Sequence, residues 1–196
     1  MSPPLVKICC IASVEEARLT ARTRADDIAA QHAGAGTTTL QLVDHVPLPE
    51  LRHLRALLPG VELAQVIHVT GEESVAEAIQ VAPLVDAILL DSGNPTLALK
   101  ELGGTGRTHD WSLSRRIRDA VWPLPLWLAG GLRDHNVAQA IAAVHPHGLD
   151  LCNSVRSEGQ LDAHKLSAFM AAVRGAVAHQ IQNIEGWSGT DFVRCA

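Results

Sequence analysis

Apolar positions along the chain fall into short runs, and the stretches between them repeat with a helical period. Residues 5–11 (Leu-Val-Lys-Ile-Cys-Cys-Ile) are β-prone and read as a buried strand. Ser13 stands as an N-cap, with Glu15 and Glu16 in the first turn where the helix dipole favours carboxylates. Helical pattern continues through Leu19 and again over 26–33, until Gly34 and Gly36 stop it. Residues 38–43 read as a second strand. Pro47 and Pro49 open a helix with Leu51, Leu54, Leu57 and Leu58 on one face, ended by Pro59-Gly60. Strand 61–69, helix 72–81 and strand 85–90 follow, the last ending in Asp91-Ser92. After a polar, glycine-rich loop over 93–110 come helix 111–121, strand 124–128 ending in Ala129-Gly130-Gly131, and helix 136–144. Strand 148–152 leads into Asn153-Ser154, and a helix over 161–177 closes the pattern. Residues 180–196 show no clear period.

Strand and helix alternate throughout, which is the signature of βα units on a parallel sheet. Right-handed crossovers then give either a doubly wound sheet or a (β/α) barrel, with functional groups at the C-terminal strand ends. One α/β domain over 1–178 with an extension over 179–196 is expected. Composition agrees: of 196 residues, 47% are hydrophobic and 19% charged, enough to build a folded core. A net charge of -5 with no Tyr and two Phe offers neither a basic footprint nor stacking platforms for nucleic acid. No apolar run is long enough to span a bilayer, and the N-terminal residues lack the order of a signal peptide, so a cytoplasmic address is expected. The spacing of Cys9, Cys10, Cys152 and Cys195 fits neither a zinc knuckle nor a CxxC motif, and they read as thiols.

The strand ends carry the candidate chemistry. Cys9 and Asp91 form a possible base and acid pair, given a lowered thiol pKa. Gly103-Gly104-Thr105-Gly106, Gly130-Gly131 and Asn153-Ser154 are candidate anion cradles, because glycine lets backbone N–H groups approach a phosphate. Walker and GxGxxG patterns are absent. His109, His145 and His147 do not complete a metal site, and a solvated or loop role is expected for them.

Taken together, these motifs resemble the phosphoribosylanthranilate isomerase family. Lys7-Ile8-Cys9 is similar to the family's KICG, with Cys10 at the glycine. Leu40-Gln41-Leu42 resembles its QLHG strand. Leu89-Leu90-Asp91-Ser92, Gly103-Gly104-Thr105-Gly106 and His109-Asp110-Trp111 resemble LLDS, GGTG and FDW. Leu128-Ala129-Gly130-Gly131-Leu132 with Asn136-Val137 matches LAGGL and NV, and Asp150 to Arg156 resembles DVSSGVE. The resemblance implies a TIM-type barrel and an Amadori rearrangement of an N-phosphoribosyl anthranilate to the aminoketose, a step of tryptophan biosynthesis. Asp91 would be the general acid and Cys9 the general base. Gly103, Gly104, Thr105, Gly130, Gly131, Asn153 and Ser154 would surround a phosphorylated sugar, with no metal or organic cofactor.

The chain departs from the family in countable ways. About six βα units are legible where the family has eight, and the two missing strands fall between 13 and 36. Val43-Asp44 replaces the His-Gly of QLHG, and Ser154 and Arg156 replace the glycine and glutamate of SGVE. A reduced barrel leaves parallel edges beside Cys9 and beside Leu40 to Val43, which a different closure or a second copy of the chain would cover. The altered residues leave two other readings open: an isomerase or lyase for another sugar phosphate, and a non-catalytic sugar-phosphate-binding or assembly protein.

Overall fold

A computed structural model describes residues 4–8, 29, 38–93 and 106–184, with side chains to residue 178. Within them six strands form one parallel sheet: β1 (Leu5–Ile8), β2 (Thr39–Leu42), β3 (Glu62–His68), β4 (Ala87–Asp91), β5 (Leu126–Leu128) and β6 (Gly148–Leu151). Their order is β1-β6-β5-β4-β3-β2, so the first strand pairs with the last and the sheet curls as a partial barrel. Between strands run α1 (Leu48–Leu57), α2 (Glu73–Val81), α3 (Trp111–Val121) and α4 (Val137–Val144). After β6 a hairpin of β7 (Arg156–Ser157) and β8 (Gln160–Leu161) leads into α5 (Ala163–Ile184).

Period-two alternation splits the sheet into unlike faces. Leu63, Ile67, Ile88, Leu90, Leu126, Leu128, Leu149 and Leu151 are buried on the outer face, in one cluster with Leu51, Leu54, Ala78, Ile117, Val137, Ile141, Phe169 and Val173 of the helices. The opposite face holds a small strand-only cluster of Val66, Leu89 and Ala129 with Trp127 against it. Among the described residues helices pack on one face, which favours a barrel-type curl over a doubly wound sheet.

Most expected elements form, with instructive differences at their ends. Leu57 is exposed, so the apolar stripe of α1 is narrower than its spacing suggests. Strand β5 begins at Leu126 rather than 124, because the Leu124 N–H turns back to the Val121 carbonyl as the chain leaves α3. Leu161 belongs to the hairpin, and α5 starts at Ala163 because the Asp162 carboxylate caps the N–H groups of His164 and Lys165. Residues 9–11 of the expected first strand and the expected helices over 13–33, Ala29 apart, lie outside the described residues.

Polar side chains tie neighbouring strands together at both ends of β3. Gln65 is 1% exposed, and its Nε2 donates to the carbonyls of Leu42 and Asp44, tying the end of edge strand β2 to β3. At the opposite end, the Asp86 carboxylate accepts from the Leu63 N–H at 2.7 Å and from Arg55 of α1 at 2.8 Å. Burial pushes the Asp86 carboxyl up, but Arg55 and the Leu63 N–H outweigh it and hold the group below its ordinary value of 3.8. On the inner face the Trp127 ring lies flush on Gly148, where an added Cβ would come within 2.4 Å of it.

Two outcomes follow for stability. Gly148→Ala should lose about 1–3 kcal/mol by overpacking, and Trp127→Val in the same chain should recover most of it, read by urea denaturation of the four-variant cycle. Asp86→Asn should cost about 1 kcal/mol at neutral pH. A depressed folded-state pKa stabilises above the unfolded value, so the gap between Asp86→Asn and the parent should close as pH falls below about 3.8, and a gap that persists at lower pH would contradict this account.

Candidate active site

The C-terminal ends of neighbouring strands bring Asp91, Gly130, Gly131, Asn153 and Ser154 onto one rim. Asp91 ends β4 and faces inward, in register with His68 of β3. Its Oδ1 accepts the Ser92 N–H at 2.7 Å, which fixes the carboxyl at the start of the following loop. Gly130 and Gly131 follow β5, the next strand over, and the short 3-10 turn Asn153–Val155 follows β6. Strand β1 comes next, and Cys9 directly follows its last residue, Ile8, which pairs with Leu151. Cys9, Gly103, Gly104 and Thr105 themselves lie outside the described residues. Cys152, at the end of β6, is a free thiol whose Sγ lies 3.5 Å from Asn153 Oδ1.

The glycines have a reason besides a ligand. Gly130 (φ 80°) and Gly131 (φ 62°) both sit in the left-handed region. A Cβ on Gly130 would lie 2.8 Å from Ser92 Oγ, and one on Gly131 would lie 2.5–2.7 Å from the backbone of Arg107 and Thr108. The β5 turn is therefore pressed between the two ends of the loop that leaves Asp91. Asn136 completes the turn: its Oδ1 accepts the Arg133 N–H, and its Nδ2 donates to the Gly131 carbonyl. By contrast, Ser154 needs no glycine conformation. The left-handed non-glycine residues of the described part are His145 and Glu158, which is why a side chain is accommodated at Ser154.

Two histidines at this rim were not legible as site residues. His68 is 7% exposed on the inner face, and its Nε2 lies 3.3 Å from the Val43 carbonyl. Counting along β3 from Val66 places it in the Asp91 row, a signal that strand register supplies. His109 keeps its expected place in the loop before α3, but its ring is not fully solvated: its Nδ1 is buried, and its Nε2 lies 2.8 Å from Ser114 Oγ on α3. Burial pushes the His109 ring down to about 4, although the Asp91 and Asp110 carboxylates pull it back up, so it is neutral near pH 7. Asp110, beside it, caps α3 through Ser112. His145 and His147 lie at the other end of the sheet, where the His147 ring meets the Trp127 edge at 5.8 Å. No group of three or more His, Cys, Asp or Glu among the described residues could hold a metal ion.

With this rim in view, the sequence model described as N-(5'-phosphoribosyl)anthranilate (PRA) isomerase matches residues 23–172. The chain belongs to the N-(5'-phosphoribosyl)anthranilate isomerase family. An N-(5'-phosphoribosyl)anthranilate isomerase of Methanocella arvoryzae is 40% identical over 138 residues, which are 70% of this chain and 62% of that relative. The chain thus spans under two thirds of the length of that relative. Among solved structures, the phosphoribosyl anthranilate isomerase of Thermococcus kodakaraensis superposes with a TM-score of 0.66 at 24% identity, covering 87% of this chain and 99% of that one. A phosphoribosyl anthranilate isomerase in complex with reduced 1-(o-carboxyphenylamino)-1-deoxyribulose 5-phosphate gives 0.60 at 20% identity, covering 88% and 99%. These superpositions establish the barrel-type fold.

Gly131→Ala should cost more than Gly159→Ala. Both positions have a positive φ, but only the first lacks room for a Cβ. The expected difference is about 1–3 kcal/mol, with lower protection from hydrogen exchange at 106–109 in Gly131→Ala alone. Equal losses would show that the contact with Arg107 and Thr108 matters little.

Proposed function

We propose that this chain isomerises N-(5'-phosphoribosyl)anthranilate to the aminoketose, the Amadori step of tryptophan biosynthesis. The observation that carries the reading is the shared rim. An inward-facing carboxyl at the end of β4 stands beside two backbone turns at the ends of β5 and β6, and β1, the strand that precedes Cys9 in the sequence, pairs with β6. An acid and a base on either side of an anion cradle is what the rearrangement requires. In this reading Asp91 protonates the ribose ring oxygen as the ring opens to the iminium. The Cys9 thiolate then takes the proton from the sugar C2, giving the enolamine that becomes the ketone. Backbone N–H groups of Gly130, Gly131, Asn153 and Ser154, with Gly103, Gly104 and Thr105 of the preceding loop, hold the phosphate.

The reading includes a phosphorylated sugar as the small-molecule partner, a cytoplasmic address, and a second copy of the chain covering the β1 and β2 edges. No helix among the described residues is long and apolar enough to cross a membrane. A second substrate class, another amino-sugar phosphate handled by the same pair, is favoured by one observation. Val43 and Asp44 follow β2 where the family's motif has His and Gly, and Asp44 is 6% exposed there.

Freshly generated N-(5'-phosphoribosyl)anthranilate should lose its fluorescence signature with the purified chain. Cys9→Ser and Asp91→Asn should each slow turnover by at least about a hundredfold. Full activity in either variant would remove that residue from the mechanism. No turnover by a folded parent chain, with phosphate-ligand binding retained, would move the reading to another sugar phosphate.

A further inference from the structure

His68 has no part in the proposed scheme, yet it carries a buried polar atom without a partner at the same rim. The alternation that puts Val66 in the inner cluster puts His68 on the same face of β3. Its backbone is held from two sides. The Val69 N–H donates to the Asp91 carbonyl at 3.0 Å, and the buried Ser74 hydroxyl donates to the His68 carbonyl at 3.1 Å. The residue is 7% exposed, and its Nε2 lies 3.3 Å from the Val43 carbonyl oxygen. A carbonyl only accepts, so Nε2 is the N–H of that bond. In the neutral ring Nδ1 is then a bare acceptor. It is buried and has no hydrogen-bond partner among the described residues.

A buried acceptor left unmet is costly, so the position suits a donor brought by a ligand. The two nitrogens of an imidazole point in widely different directions, so Nδ1 is turned away from the β2 carbonyl that holds Nε2. The β5 and β6 turns lie on one side of β4, and His68 lies on the other, in the Asp91 row. A sugar phosphate with its phosphate at those turns and its ring oxygen at Asp91 has its hydroxyl groups left to meet the strand beyond. Those hydroxyls are donors, whereas the phosphate and ring oxygens accept. We propose that His68 is a substrate-binding residue whose Nδ1 accepts a hydrogen bond from a sugar hydroxyl. This rests on the reading of the rim as a sugar-phosphate site, and it assigns a group that holds the sugar rather than the phosphate. An analogue without that hydroxyl is rejected because it leaves the nitrogen buried and unmet. The ring also stands against Val43, where the family's QLHG motif has its histidine. Strand β3 thus brings an imidazole to a corner where that motif position has none.

Two binding measurements on the full-length chain test this. The first is ¹⁵N NMR of the His68 ring. The free chain should show an Nδ1 resonance in the range of a bare acceptor. Ribose 5-phosphate should move it toward that of a hydrogen-bonded acceptor, and inorganic phosphate should leave it in place. An Nδ1–H in the free chain, or an Nδ1 resonance that ribose 5-phosphate does not move, would overturn the proposal. The second is calorimetry with reduced 1-(o-carboxyphenylamino)-1-deoxyribulose 5-phosphate, the ligand of a structural relative. His68→Gln keeps a donor near Nε2 for the Val43 carbonyl and removes the acceptor at Nδ1. Its Kd for this ligand should rise about tenfold, with the Kd for inorganic phosphate unchanged. His68→Asn, whose Oδ1 stands near the Nδ1 position, should keep the affinity of the parent. Equal affinity in His68→Gln and the parent, or an equal loss for both ligands, would also overturn it, the latter marking a purely structural ring. If ribose 5-phosphate moves the Nδ1 resonance but phosphoribosylanthranilate is not turned over, the isomerase reading fails and the assignment of His68 stands.

Discussion

The absence of side chains at Gly130 and Gly131 is the constraint on which the candidate site depends. Their left-handed turn fills the space between Ser92, at the start of the loop from β4, and Arg107-Thr108 near its end. That contact places Asp91, the β5 turn and His109 within one packed unit. A methyl group at either glycine would separate the loop from the turn before it touched any ligand. The motif's glycines therefore serve assembly, and an open backbone for an anion is a second benefit of the same geometry.

Behind this rim the sheet separates structural from chemical roles by alternation. Leucine and isoleucine on the outer face bury against five helices. The inner face carries few apolar contacts, Trp127 bulk over Gly148, and at its C-terminal rim Asp91, His68 and Asp150. Stability is drawn mainly from one side and chemistry is placed on the other, so residues at the rim are free to vary without emptying the core.

The parallel βα order, the outer-face core and the rim positions of Asp91, Gly130, Gly131, Asn153 and Ser154 were legible because each depends on local pattern. Alternation marks the strands, glycine pairs mark the turns, and a carboxylate after an apolar run marks a strand end. What depends on how the chain turns at element ends was not. His109 reads as polar loop until Ser114, five residues on, comes round on the first turn of α3 to meet it. Leu57 reads as core until α1 is seen to present only Leu51 and Leu54 fully inward. The start of β5 is set by a backbone turn that no side-chain pattern announces.

The pairing of the first strand with the last has an asymmetric result. Asp91 and the turns after β5 and β6 stand on strands flanked on both sides by other strands, whereas Cys9 follows β1, an edge of the sheet among the described residues. Segments can be gained or lost between β1 and β2 without altering any neighbour of β4, β5 or β6. Half of the chemistry is therefore insulated from changes in chain length, and the other half sits at the seam where such changes occur. The carboxylate side of such a site can stay fixed while the thiol side takes up changes in chain length.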